Sequence, residues 1–495
     1  MKYFSTREKN LRVSGAKAIA QGLSEDGGLF LPESVPTLSD KEMRALCDMN
    51  YRERAVDIMS RYLDDFSREE LEGFTASAYA ENFDHAGIAP LKMLGEKTAM
   101  LELWHGPTCA FKDMALQILP YLLTASLKKI GEEKRVCILV ATSGDTGKAA
   151  LDGFADVDGT AIVVFYPRDG VSDVQKLQMT TQEGKNLHVC AVNGNFDDTQ
   201  TGVKTIFNDR DFAEKLAEKG VILSSANSIN WGRLLPQIVY YFSAYCDYVS
   251  AGKLNFGEEL DFCVPTGNFG DILAGWYAKK MGLPIRRLIC ASNSNRVLTD
   301  FLETGVYDKN REFFTTASPS MDILISSNLE RLLAMLTDDK SVCGWMDNLK
   351  TEGKYDVGER VLSLLKAEFT GGCCNDNEAK KAIAEVFAEK AYLMDTHTAV
   401  AYKVLEDLRA KGDEFPTVIV STASPYKFCD SVLDALGKPV NLPGAALLHE
   451  LELVSGTAIP KPLQSLEGKT SRFKGAVSGN EMKAVVESFL AELQA

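Results

Sequence analysis

The chain has 495 residues, 45% of them hydrophobic and 25% charged, and a net charge of −15. It is too long for one ordinary domain and apolar enough for sizeable cores. No basic run is present, no apolar stretch is long enough for a bilayer and Met1–Arg7 holds no signal-like segment, so nucleic-acid binding, membrane spanning and secretion are not expected.

Residues 1–95 read as an N-terminal domain. The run Gln21-Gly22-Leu23-Ser24-Glu25-Asp26-Gly27-Gly28-Leu29-Phe30-Leu31-Pro32 precedes charged helical segments at Lys41 to Tyr62 and Ser67 to Tyr79. Next comes Trp104-His105-Gly106-Pro107-Thr108-Cys109-Ala110-Phe111-Lys112-Asp113, a loop that opens a helix. Phe111, Met114, Ala115, Ile118, Leu119, Leu122 and Leu123 then recur at helical spacing. A lysine held against such a face loses solvation in its charged form, so its pKa falls and its amine becomes a usable nucleophile. A snorkelling surface lysine fits the same segment. Pro120 should kink or end the first half of this helix.

From residue 136 onward one pattern recurs: an apolar run, a polar loop, a helix. Val136 to Ala141 leads to Thr142-Ser143-Gly144-Asp145-Thr146-Gly147 and a helix from Lys148. The hydroxyls and first-turn amides there suit a carboxylate, and a plain helix cap explains Asp145 and Thr146 equally. Apolar runs follow at Ala161 to Phe165 and Leu187 to Val192. Asn227-Ser228-Ile229-Asn230-Trp231-Gly232-Arg233 then opens an apolar helix, Leu234 to Val249. Arg233 in the first turn is unfavourable against the helix dipole unless an anion binds or a distant acid pairs with it. A crossing between subdomains falls near residue 250.

Asp261 to Pro265 leads to Thr266-Gly267-Asn268-Phe269-Gly270-Asp271 and a helix. Glycines allow close backbone approach, and the helix N-terminus offers free N–H groups, which together suit a phosphate. A tight strand-to-helix turn is the plainer explanation. Neither a Walker A loop nor G-x-G-x-x-G is present, which disfavours a nucleotide enzyme. Arg287 to Ala291 is another apolar run; residues 300–355, with a helix at Asn328 to Leu336, read as an insertion that folds over a site. Thr417 to Val420 leads to Ser421-Thr422-Ala423-Ser424-Pro425, whose hydroxyls can bond backbone or a ligand's ring nitrogen.

Apolar strands alternating with helices mean parallel sheets covered on both faces, with ligands at the carboxyl ends of the strands. The eleven cysteines lack C-x-x-C spacing and read as reduced thiols in a cytoplasmic protein. The five histidines lie far apart, and no metal site is expected.

Taken in order, these pieces resemble threonine synthase, a pyridoxal-phosphate family of fold type II. Ser318-Pro319-Ser320-Met321-Asp322, His397-Thr398-Ala399 and Ser421 to Phe428 belong to the match, and the insertion resembles the longer subgroup. The resemblance implies an α/β fold with two open, mostly parallel sheets flanked by helices, plus the N-terminal domain. It implies a large cofactor-binding domain at 96–135 and 251–495 and a smaller one at 136–250. Lys112 would carry pyridoxal 5′-phosphate as a Schiff base and act as catalytic base and acid. Gly267, Asn268, Phe269, Gly270 and Asp271 would hold the cofactor phosphate, and Thr422 the ring nitrogen. Ser143, Asp145 and Thr146 would meet the substrate carboxylate, Asn227, Ser228, Asn230 and Arg233 its phosphate, and His105 and Thr108 would line the site. The implied reaction takes O-phospho-L-homoserine and water to L-threonine and phosphate, a carbon–oxygen lyase step ending threonine biosynthesis, in a monomer or small homo-oligomer. A serine/threonine dehydratase and a non-catalytic phospho-ligand binder are the competing expectations.

Overall fold

Runs of Val, Ile, Leu and Cys without a polar face need cover on both sides, and parallel sheets provide it. The computed structural model describes residues 1–442 and 444–493, so residues 443, 494 and 495 of the range 251–495 lie outside it. It contains two such sheets. The larger has the strand order Phe369–Cys373, Ile285–Ser292, Leu260–Pro265, Thr417–Ser421, Thr98–Glu102, Leu91–Met93, parallel except for the last pair. The smaller runs Ala476–Val477, Leu187–Val192, Thr160–Pro167, Arg135–Ala141, Val221–Ser224, all parallel. The expected architecture is therefore the observed one. One strand of the smaller sheet, Ala476–Val477, comes from far outside the 136–250 segment.

The N-terminal domain carries an antiparallel sheet, Glu8–Val13, Tyr3–Ser5, Phe30–Pro32, and four helices. The helical run expected over Lys41 to Tyr62 is two helices, Asp40–Cys47 and Tyr51–Ser60. Asn50 breaks it: its side chain accepts from the Glu53 amide, and Glu53 returns the bond to the Asn50 amide. Pro120 acts as expected, since the chain forms Asp113–Leu116 and restarts as Leu119–Ile130 with the proline in its first turn.

Helix Trp231–Ser250, longer at its start than the expected Leu234 to Val249, is buried nearly all round, as a helix without a polar face must be. Trp231 packs its ring against Tyr3, Tyr62 and Tyr277 at 5.4–5.6 Å. This aromatic cluster joins the N-terminal domain to the helices of the large sheet. The insertion holds the ribbon Val306–Asp308/Lys354–Asp356 and helix Leu329–Leu336. Among the described residues no helix is long and apolar enough to cross a membrane, and no group of three or more side chains suits a metal ion.

Candidate active site

The lysine loop is stapled to the end of strand Thr417–Ser421. Phe111 N–H donates to the Thr422 carbonyl (2.8 Å), Ser424 N–H to that of Cys109 (3.0 Å), and Leu103 N–H to that of Ser421 (3.0 Å). Lys112 follows directly, at the start of helix Asp113–Leu116. It is half-buried: the cavity opens onto it while protein surrounds the rest. Burial pulls its amine from 10.5 to about 8; Asp145 and Asp271 oppose that fall, and Arg233 and Lys427 reinforce it. Its ammonium lies 3.8 Å from the Phe111 ring centre, and among the described residues it has no ion-pair partner within 4 Å.

Facing it is the loop at the end of Leu260–Pro265. A Cβ on Gly267 would come within 2.7 Å of the Ser320 carbonyl, so only glycine lets the 319–323 segment close over this loop. Phe269 takes a left-handed conformation (φ 59°) to start helix Gly270–Lys280, whose first amides have no intrahelical acceptor. The carbonyls of Gly267 and Asn268 are occupied by Ser326 Oγ (2.8 Å) and the Asn328 amide (3.1 Å). Asp271 accepts from Tyr240 (2.6 Å) and Tyr241 (2.7 Å), and burial nonetheless pushes it up to about 6.

Thr142 Oγ1 accepts the amides of Gly144 (2.9 Å) and Gly147 (2.8 Å), folding the Thr142–Gly147 turn onto itself. Arg233 is fully buried. One nitrogen donates to the Ala226 carbonyl, Nε has no partner, and among the described residues no carboxylate pairs with it. Burial lowers its pKa to about 10.

One cavity is thus lined by Lys112, Gly267, Asn268, Phe269, Gly270, Asp271, Thr422, Ser143, Thr146, Asn227, Ser228 and Arg233. Four expected residues do not line it. His105 turns away between Asp84 (2.6 Å) and Glu102 (3.0 Å), stacked on Trp104. Thr108 is buried and gives its amide (2.9 Å) and hydroxyl (2.6 Å) to Asp113. Asp145 pairs with the buried Lys427 (2.9 Å) and Gln175 (2.8 Å). Asn230 caps its helix through the Gly232 amide (2.8 Å) and donates to Ile19 (3.0 Å). Gln237, Ser320, Asp322 and His397 line the cavity without having been assigned a role from sequence. The Ser318 to Asp322 and His397 motifs were the available signals; Gln237, one turn past Arg233, had none.

Two parallel sheets meeting at a cleft, with a low-pKa lysine opposite a glycine loop at a helix N-terminus, define a pyridoxal-phosphate-dependent enzyme of fold type II. Family models agree: "Pyridoxal-phosphate dependent enzyme" matches residues 89–424, "Threonine synthase N terminus" 2–79, and "Threonine synthase, C-terminal" 398–487. The chain belongs to the threonine synthase family. It is 38% identical to the threonine synthase of Pseudomonas aeruginosa, covering 95% of this chain and 98% of that protein. It is 42% identical to human "Threonine synthase-like 1" over 92% of this chain, but spans only 62% of that relative's length. A crystal structure of PLP-bound threonine synthase from Brucella melitensis superposes with a TM-score of 0.86 at 39% identity, covering 100% of both chains.

Proposed function

We propose that this protein converts O-phospho-L-homoserine and water to L-threonine and phosphate with pyridoxal 5′-phosphate as cofactor. The observation that carries this reading is Arg233, a fully buried guanidinium without a carboxylate, facing the same cavity as Lys112. A buried cation without a counter-charge is costly, and an anionic ligand removes the cost. The Gly267–Asp271 loop suits the cofactor phosphate, which leaves Arg233 for a phosphate on the substrate. The cavity's polar atoms fit the cofactor and a charged substrate: Arg233 Nε and the Ser320 hydroxyl can donate, Asn227 Oδ1 and Asp271 Oδ2 can accept, and all four are buried without protein partners among the described residues.

When bound, the cofactor supplies an electron sink for charge released at the substrate carbons. Lys112 Nζ is the group for holding the cofactor's aldehyde carbon and then for taking and returning protons at the substrate α and β carbons. A pKa near 8 makes its free amine on the order of a hundred-fold more abundant at neutral pH than that of an ordinary lysine. Ser143, Thr146 and the amides around them orient the substrate carboxylate. Arg233, with Asn227 and Ser228, holds the phosphate and offsets its charge as it departs. The Thr422 hydroxyl orients the ring nitrogen without adding charge. His105, Thr108, Asp145 and Asn230 act from behind these groups. The same reading puts the enzyme in the cytoplasm, as a monomer or small homo-oligomer.

The test is the visible absorbance of the purified full-length protein with and without O-phospho-L-homoserine, alongside a phosphate-release assay. The expected result is a coloured protein whose spectrum changes as phosphate appears. A colourless protein that borohydride cannot fix to its cofactor rules the reading out. Turnover of serine or threonine without phosphate release from the phosphorylated substrate would favour a dehydratase.

A further inference from the structure

Lys427 is fully buried, which is rare for a lysine. It lies in the turn Pro425–Phe428 that follows large-sheet strand Thr417–Ser421. Its ammonium is 2.9 Å from Asp145, the first residue of small-sheet helix Asp145–Phe154, and 2.8 Å from the Thr108 carbonyl in the lysine loop. The same junction is laced by Gln175 to Asp145 (2.8 Å) and Ser172 to the Lys427 carbonyl (3.0 Å). One ammonium therefore ties together three segments from both sheets.

The charge arrangement around Lys112 gives this tie a second consequence. The charges that act on Lys112 are Asp145, Arg233, Asp271 and Lys427; Asp271 and Arg233 share its cavity, Asp145 and Lys427 lie behind it as a pair, and Asp113 is next in the chain. An anion near a lysine holds a proton on it, and a cation does the reverse. Burial opposes ionisation of Asp145, yet Lys427 and Lys112 hold it down at about 2. Without Lys427, Lys112 would be the remaining cation that, among the described residues, lowers that carboxylate.

We propose that Lys427 is a positioning residue that neutralises Asp145 across the junction of the two sheets, freeing the Lys112 nitrogen from acting as the counter-ion of Asp145. The inference rests on the reading of Lys112 as the cofactor-bearing group. It assigns Asp145 the task of fixing the Ser143–Thr146 turn.

The test is a pH titration of the visible absorbance of the full-length, cofactor-loaded protein, which reads the pKa of the Lys112 nitrogen. Lys427→Met should raise that pKa by about one unit or more. Asp145→Asn should lower it, because Lys427 is then unbalanced. The double variant should return close to wild type. A tie that is only mechanical predicts lost stability in both single variants with no shift, or shifts in one direction; either result overturns the proposal. If Lys427→Met does not fold, the double variant decides, and a double variant displaced as far as Asp145→Asn alone overturns it. Borohydride fixation of the cofactor on wild-type Lys112, located by mass spectrometry, separates the two levels. Its failure removes the underlying reading, whereas a fixed Lys112 with unmoved titrations removes only the role of Lys427.

Discussion

Lys112→Met in the cofactor-free, full-length protein should stabilise the fold at neutral pH, at the expense of the chemistry. The native amine titrates near 8, against 10.5 for an ordinary lysine. That difference corresponds to roughly 3 kcal/mol, and water in the cavity screens it to about 2 kcal/mol. Below pH 8 both native and unfolded chains hold the proton, so wild type carries the full penalty. Between 8 and 10.5 the unfolded chain still holds a proton that the native protein has lost, so wild-type stability rises with pH. Urea unfolding of both proteins from pH 6.5 to 10.5 should show Lys112→Met ahead by about 2 kcal/mol at pH 7, with the gap closing as pH climbs through that window. A gap that stays flat, or a Met variant that is less stable at pH 7, refutes the argument that burial depresses this amine.

Arg233→Gln should raise KM for O-phospho-L-homoserine at least about ten-fold, the loss of one charge-assisted contact, while the cofactor absorbance remains; steady-state phosphate release measures it. Thr422→Asp should shift the cofactor spectrum and change the balance of side products seen by chromatography; if neither moves, the ring-nitrogen role is wrong. His105 is pulled down by burial but pushed up, by Asp84 and Glu102, to about 9. Its stabilisation is thus complete below its ordinary 6.5 and lost as pH rises through about 9. His105→Asn should cost about 1 kcal/mol at pH 6 and little at pH 10, read by urea unfolding.

The loops were legible in the sequence because each follows an apolar strand. Thr142–Gly147, Gly267–Asp271 and Thr422 all sit where a parallel sheet ends, and the structure brings them to one cavity. The misplaced residues had the right neighbours but closer partners. His105 finds Asp84, a pairing invisible at a separation of 21 residues, and Thr108 is consumed by Asp113 five residues on. Asp145 looked like a ligand group because the lysine it pairs with, Lys427, is nearly three hundred residues away. Asn230, which the resemblance assigns to the phosphate-binding segment, bonds Gly232 and Ile19 and does not line the cavity. The split in the Lys41 to Tyr62 run was open to prediction, since Asn50 and Glu53 have the spacing of a capping box.

The staple between residues 103–111 and 421–424 also sets an order of events during synthesis. Lys112 leaves the ribosome early, but the strand end that fixes its loop is among the later segments to emerge. Domains tend to complete from the N-terminus onward, and contacts this distant in sequence form slowly. Until they form, the lysine is an ordinary solvated amine, and the nascent chain has no means of capturing a reactive aldehyde productively.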